Sequence, residues 1–197
     1  MQFTKEAQLS GERKLRGNKR KVKAYHGLGS NEGNRLSFVQ QAMQLLKDVS
    51  GVTVLECSSL YEAEPVNDND QTSHCQWFVN AVVAIETSHS PEELLEICQD
   101  IERRLTALGG EFGKVGRERG RIIDLDILFY GDLVFASPNL TIPHPKVHKR
   151  AFALVPLLEI APDIRYPGMN KSVAQLHEEL PEPEQVYLYG TREAEAD

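Results

Sequence analysis

Residues 52–87 read VTVLECSSLYEAEPVNDNDQTSHCQWFVNAVVAIET, and this stretch decides the fold class. Val52, Thr53, Val54, Leu60 and Tyr61 make residues 52–62 β-rich. Phe78, Val79, Val82, Val83 and Ile85 make residues 78–87 a buried strand by their apolar run. Between them, residues 64–74 are polar and carry Pro65, Asn67, Asp68, Asn69 and Asp70, the composition of a loop. No helical pattern separates the two strand segments. Parallel neighbours need a crossover, usually a helix, so this stretch favours antiparallel pairing over a doubly wound parallel sheet.

Working outward, Val22, Ala24, His26 and Leu28 alternate with Lys23, Tyr25 and Gly27, giving a strand that ends in a tight turn at Gly29-Ser30-Asn31. Leu36, Val39, Met43 and Leu46 follow helical spacing over residues 35–49, and Gly51 ends that helix. Ser90-Pro91-Glu92-Glu93 opens a second helix, with Ser90 as cap and Glu93 completing a capping box. This helix runs to Gly109-Gly110, and a glycine-rich charged loop follows to Gly120. Residues 121–130 form the next strand, and Gly131-Asp132 turns it into Leu133-Val134-Phe135. Residues 150–160 are helical around Pro156, with a further helical stretch at 173–180. The order βαββαββα implies the α+β class: a ferredoxin-like sandwich with a mainly antiparallel sheet and helices on its faces.

The chain has 197 residues, enough for one core in residues 22–180. Its net charge of −7 is uneven: residues 1–23 hold eight Lys or Arg against Glu6 and Glu12, a balance of +6 that leaves −13 for the rest. That acidity argues against a general nucleic-acid binder. Residues 1–21 read as a basic, disordered extension, and 181–197 as a loosely packed acidic tail in which Val186-Tyr187-Leu188-Tyr189 has the pattern of a short strand. No apolar run reaches the roughly 20 residues of a spanning helix, and no secretory signal is seen. Cys57, Cys75 and Cys98 are odd in number and lack CxxC spacing, which fits a reducing, cytoplasmic setting.

The chemistry centres on Arg121-Ile122-Ile123-Asp124-Leu125-Asp126-Ile127-Leu128. In a strand, residues i and i+2 share a face, so Asp124 and Asp126 point together while Ile123, Leu125 and Ile127 face the core. At about 6 Å and an effective dielectric near 20, two such carboxylates repel by roughly 3 kcal/mol. A divalent cation answers that repulsion, and Mg²⁺ favours one or two carboxylates together with phosphate oxygens. Arg117, Arg119 and Arg121 alternate just upstream, but a bend is needed before Arg121 can join the aspartates. Downstream, Thr141, His144, Lys146, His148, Lys149 and Arg150 form the densest positive cluster of the core. Neither standard nucleotide-binding glycine fingerprint is present, nor any hydrolase motif.

Several features then coincide in order: Gly29-Ser30-Asn31, Ser58-Ser59-Leu60-Tyr61-Glu62 with Pro65, Phe78-Val79-Asn80-Ala81, Glu92-Glu93-Leu94-Leu95, Gln99 with Glu102, the Arg121–Leu128 segment, Pro143-His144, and Arg150-x-Phe152-x-Leu154-x-Pro156-Leu157. Together they resemble the 6-hydroxymethyl-7,8-dihydropterin pyrophosphokinases over residues 22–180. The resemblance implies transfer of the β,γ-pyrophosphoryl unit of ATP to the pterin hydroxymethyl group, with two Mg²⁺ ions on Asp124 and Asp126. It implies that Asn80 reads the pterin amide edge while Phe78 and Phe152 flank its ring. Gln99, Glu102, Ile127, Thr141, His144 and Arg150 are implied on the ATP side, and Arg117 and Arg121 as catalytic cations. The expected partners are these small molecules, with no membrane and a monomeric chain.

The chain departs from the family pattern in its loop. Glu111 and Gly113 stand where the family has arginines, with only Lys114 nearby. Arg117-Glu118-Arg119-Gly120-Arg121 replaces Arg-Trp-Gly-Pro-Arg, and Pro145 replaces a tyrosine. Two competing readings therefore stay open at this point. One is a paralogue that binds pterin or nucleotide with weak or no transfer; the other is an RNA- or partner-binding module using residues 1–23.

Overall fold

The computed structural model describes residues 20–65, 76–109, 121–181 and 183–190. Six strands form the main sheet: β1 (Val22–Ser30), β2 (Val52–Cys57), β3 (Leu60–Ala63), β4 (Phe78–Thr87), β5 (Asp124–Tyr130) and β10 (Val186–Gly190). Its order is β10-β3-β4-β1-β5, with β2 also on β4, and every pair is antiparallel. Helices α1 (Arg35–Lys47) and α2 (Pro91–Leu108) cover one face; α3 (Ala151–Ile160) and α4 (Val173–Glu178) cover the other. Two small hairpins, β6 (Phe135–Ala136) with β7 (Thr141–Ile142) and β8 (Arg165–Tyr166) with β9 (Lys171–Ser172), and a 3-10 turn at Val147–Lys149 complete the described elements. The α+β class and antiparallel sheet stand, with more small strands than the sequence order showed.

Alternation along the strands builds two cores. Ala24 and Leu28 of β1, Val79, Ala81, Val83 and Ile85 of β4, and Leu125 and Ile127 of β5 face α1 and α2. Tyr25, Val82, Ala84 and Leu128 face α3 and α4. α2 packs Leu94, Cys98, Ile101 and Leu105, the i, i+4, i+7, i+11 positions of one helical stripe. Its start is the expected capping box: Ser90 Oγ accepts from Glu93 N at 3.2 Å, and Glu93 Oε2 accepts from Ser90 N at 2.7 Å, together worth about 1 kcal/mol.

Several boundaries differ from the sequence reading. Residues 52–62 are two strands, because Ser58 turns its backbone and hydroxyl to β4: Ser58 N donates to Val82 O at 2.8 Å, and Ser58 Oγ accepts from Val82 N at 2.9 Å. Gly29 and Ser30 lie inside β1, paired with Asn80 and Val79, so the turn begins only at Asn31. α1 ends at Lys47, with Asp48 N donating back to Gln44 O, before Gly51 is reached at φ +82°. β5 begins at Asp124 rather than 121, since Asn31 captures the backbone of Arg121. β6 starts at Phe135, later than Leu133. The segment 186–190, within the stretch read as tail, pairs with β3. Lys21 reaches Glu86 Oε2 at 2.7 Å. The loop readings at 110–120 and most of 64–74, and the reading of residues 1–19, fall outside the described residues.

Candidate active site

The acid pair is placed by the register of β1 and β5. Gly29 pairs with Asp124 and Gly27 with Asp126. On its other edge, Gly29 pairs with Asn80. Directly paired residues share a face, so Asn80, Gly29 and Asp124 form one row across three strands, about 10 Å from end to end. The middle of that row has no side chain. A Cβ on Gly29 would sit 3.0 Å from Asn80 Oδ1 and 3.7 Å from Phe78 Cδ1. The glycine therefore leaves a notch bounded by a carboxamide, a phenyl edge and a carboxylate. Asn80 is 4% exposed, yet its side-chain bond to Phe78 is a long one, Nδ2 donating to Phe78 O at 3.4 Å.

The bend that brings Arg121 to the acids is present. Asn31 N donates to Arg121 O at 3.1 Å, and Asn31 Oδ1 accepts from Arg121 N at 2.6 Å. Held this way, the Arg121 guanidinium pairs with Asp124 Oδ2. Asn31 Nδ2 also reaches Gln76 O at 3.4 Å, so one side chain ties β1 to the segments before β4 and before β5.

Glu102 comes from α2. Its Oε1 accepts from Leu125 N at 2.7 Å, covering an N–H on the edge of the sheet. By the two-residue alternation, the Ile127 backbone faces the same outer side. Burial lifts the Glu102 carboxyl to about 7; the Leu125 N–H opposes that, and Asp124 and Asp126 add to it. Burial also raises Asp124, against the pull of Arg121. The Asp124 carboxylate raises Arg121 in turn.

The opposite wall is the start of α3. Arg150 lies with its guanidinium carbon 5.3 Å from the centre of the Phe152 ring, and its charge acts on Asp124. His144 is lowered by burial while Asp126 pulls the other way. His144 N donates to Leu128 O at 2.9 Å, which fixes this loop against β5. Asn80, Phe78, Asp124, Asp126, Arg121, Glu102, His144, Arg150 and Phe152 thus gather at one end of the sheet. Gln99 on α2 and Thr141 on β7 are exposed and have no hydrogen bond or ion pair to the acids among the described residues. Arg117 lies outside the described residues. Sequence reasoning did not weigh Gly29 as the gap in the row; the glycine before Ser30-Asn31 was the available signal.

The donor set fits a hard divalent cation. Two carboxylates share a face, and burial raises Asp124 despite its arginine, so the ionised pair has room for more positive charge. Among the described residues no group of three or more His, Cys, Asp or Glu is arranged to hold a metal ion by itself. A separate groove of about 590 Å³ between α1 and α2, lined by Leu45, His89, Glu93 and Ile97 among others, lies on the other sheet face from Asp124 and Asp126.

The fold and this cluster define a class: one main antiparallel sheet, helices on both faces, with a paired-aspartate notch at one end. Residues 25–162 match the model of the 7,8-dihydro-6-hydroxymethylpterin-pyrophosphokinase (HPPK) family. A 2-amino-4-hydroxy-6-hydroxymethyldihydropteridine pyrophosphokinase of Methylorubrum extorquens is 41% identical over 159 residues, covering 79% of this chain and 94% of that protein. The Bacillus subtilis protein of the same name is 41% identical over 141 residues, 72% of this chain and 79% of its own. The folic acid synthesis protein fol1 of Schizosaccharomyces pombe is 39% identical over 158 residues, 80% of this chain, which spans only 20% of its length. The Plasmodium falciparum HPPK-DHPS crystal structure shares the fold, with a TM-score of 0.63 at 15% identity over 83% of this chain and 46% of that one. The chain belongs to the HPPK family.

Proposed function

We propose that this chain transfers the pyrophosphoryl group of ATP to 6-hydroxymethyl-7,8-dihydropterin, giving AMP and the pterin diphosphate for folate synthesis. The single observation that carries this reading is the row Asn80–Gly29–Asp124. It sets a buried carboxamide and a metal-binding type of acid on either side of a side-chain-free gap.

In this reading the flat pterin lies over Gly29, with Asn80 facing its amide edge and the Phe78 and Phe152 rings on its faces. Its hydroxymethyl group then points along the row toward Asp124. Asp124 and Asp126 would hold the ions of Mg²⁺-ATP, two in number, which would supply positive charge to the phosphate groups during transfer. Arg121, fixed by Asn31 and Asp124, and Arg150, stacked on Phe152, meet the triphosphate from two sides. Glu102 keeps the edge of β5 in place, and Ile127 offers its outward backbone to the adenine. The hydroxymethyl oxygen attacks the β-phosphorus and gives up its proton to solvent, the bond from that phosphorus to the bridging oxygen of AMP breaks, and AMP leaves with that oxygen. Arg117 serves as a further catalytic cation. His144, Gln99 and Thr141 complete the nucleotide side.

Asp124→Ala and Asp126→Ala test the assignment. Each lowers pterin-dependent AMP formation by orders of magnitude while the circular dichroism spectrum and melting stay those of a folded protein. Near-normal turnover in either variant removes that residue from the metal site.

A further inference from the structure

α3 starts without a capping side chain of its own. Arg150 stands at its N-cap and makes no side-chain hydrogen bond there. The acceptor comes from elsewhere: Glu184 Oε2 accepts from Ala151 N at 2.6 Å, across 33 residues of sequence. Ala151 lies between Arg150 and Phe152, whose side chains stack on each other. Glu184 is itself held by the sheet. The next residue, Gln185, donates from N to Glu64 Oε1 at 3.0 Å and accepts from Glu64 N at 3.3 Å, and β10 then pairs with β3 from Val186. A carboxylate at a helix N-terminus both satisfies an N–H that the helix leaves unpaired and complements the positive end of its dipole.

We propose that Glu184 is a positioning residue, a brace from the C-terminal strand that sets the Arg150–Phe152 turn over the substrate notch. This rests on the site reading given under Proposed function. The other end of α3 is tied independently. Glu159 accepts from Ser59 N at 2.8 Å, Ser59 Oγ at 2.9 Å and Tyr61 OH at 3.0 Å. The helix therefore has a brace at each end, and only the Glu184 brace adjoins the substrate-contacting turn. A small shift of that turn affects substrate alignment, whereas loss of the Glu159 brace affects packing alone.

Steady-state kinetics on the full chain separate these roles. Glu184→Ala raises the KM for the pterin roughly tenfold and changes kcat less than threefold. Glu184→Gln keeps an acceptor oxygen and returns KM to within threefold of the parent. Glu159→Ala lowers the melting temperature and leaves KM within twofold. If Glu184→Ala melts below the assay temperature, Glu184→Asp carries the test, because it withdraws the carboxylate by one methylene in a folded chain. There, a raised KM supports the brace and an unchanged KM overturns it. Phe152→Ala is the reference for the site itself. A raised KM for Phe152→Ala beside an unchanged KM for Glu184→Ala overturns the inference and leaves the site reading standing. An unchanged KM for Phe152→Ala overturns the site reading and the inference with it. Equal KM rises in Glu184→Ala and Glu159→Ala also overturn it, since a general loosening would then suffice.

Discussion

Gly29 carries more of the proposed site than its missing side chain suggests. Its position in the row leaves Asn80 Oδ1 only 3.0 Å from where a methyl group would stand. Gly29→Ala therefore displaces the carboxamide and fills the notch, and calorimetric titration should show pterin affinity reduced about tenfold, with a stability loss of about 1 kcal/mol. Unchanged affinity would place the pterin elsewhere. His26 acts on stability instead. It is fully buried, its Nδ1 lies 3.5 Å from Cys98 Sγ, and Nε2 has no partner among the described residues. Burial lowers it from 6.5 to about 4. Between those values the unfolded chain binds more protons than the folded one, so stability falls as pH drops from 6.5 to 4, by about 3 kcal/mol. Urea unfolding of His26→Leu across that range should lack this loss; an equal slope in both proteins contradicts the assignment. That Asp124 and Asp126 share one face was legible, because both fall in one strand at its two-residue period. Glu184 was not, because its acidic neighbours in sequence resemble a solvated tail.

At the scale of elements, the side-chain grips between them are what set the site. Asn31 bends the chain before β5, Glu102 covers the outer edge of β5, and Glu159 pins α3 to the Ser58-Ser59 break. Glu159→Ala leaves the Ser59 N–H, the Ser59 hydroxyl and the Tyr61 hydroxyl without their acceptor. It should cost about 1–2 kcal/mol in denaturant unfolding, the low side of a charged hydrogen-bond set because Glu159 is exposed. A cost below a few tenths would show that water replaces the carboxylate. The long periodic elements, α2, β4 and β1, were readable from spacing. The interruption of residues 52–62 was not, because serines suit a strand locally and the break comes from bonds to Val82 in a distant strand. The partner of β10 was equally hidden, since Val186 meets Ala63 only through the fold.

At the scale of the whole molecule, every candidate residue that the structure describes lies between Val22 and Gly190. Deleting residues 1–19 should therefore leave pterin-dependent turnover unchanged. A large loss would give that basic segment a part in the reaction. The antiparallel class followed from two strand segments with no helix between them, and the sheet order did not, because it depends on pairings far apart in sequence. The departures at Glu111, Gly113 and Glu118 bear on rate more than on fold, and they make turnover itself the central question. The direct measurement is AMP release from ATP and Mg²⁺ with and without 6-hydroxymethyl-7,8-dihydropterin. Pterin-dependent AMP is expected at about 0.1 per second or faster, near the range of ordinary enzymes. AMP release no faster with the pterin than without it would overturn the transferase reading and leave a binding protein in place of an enzyme.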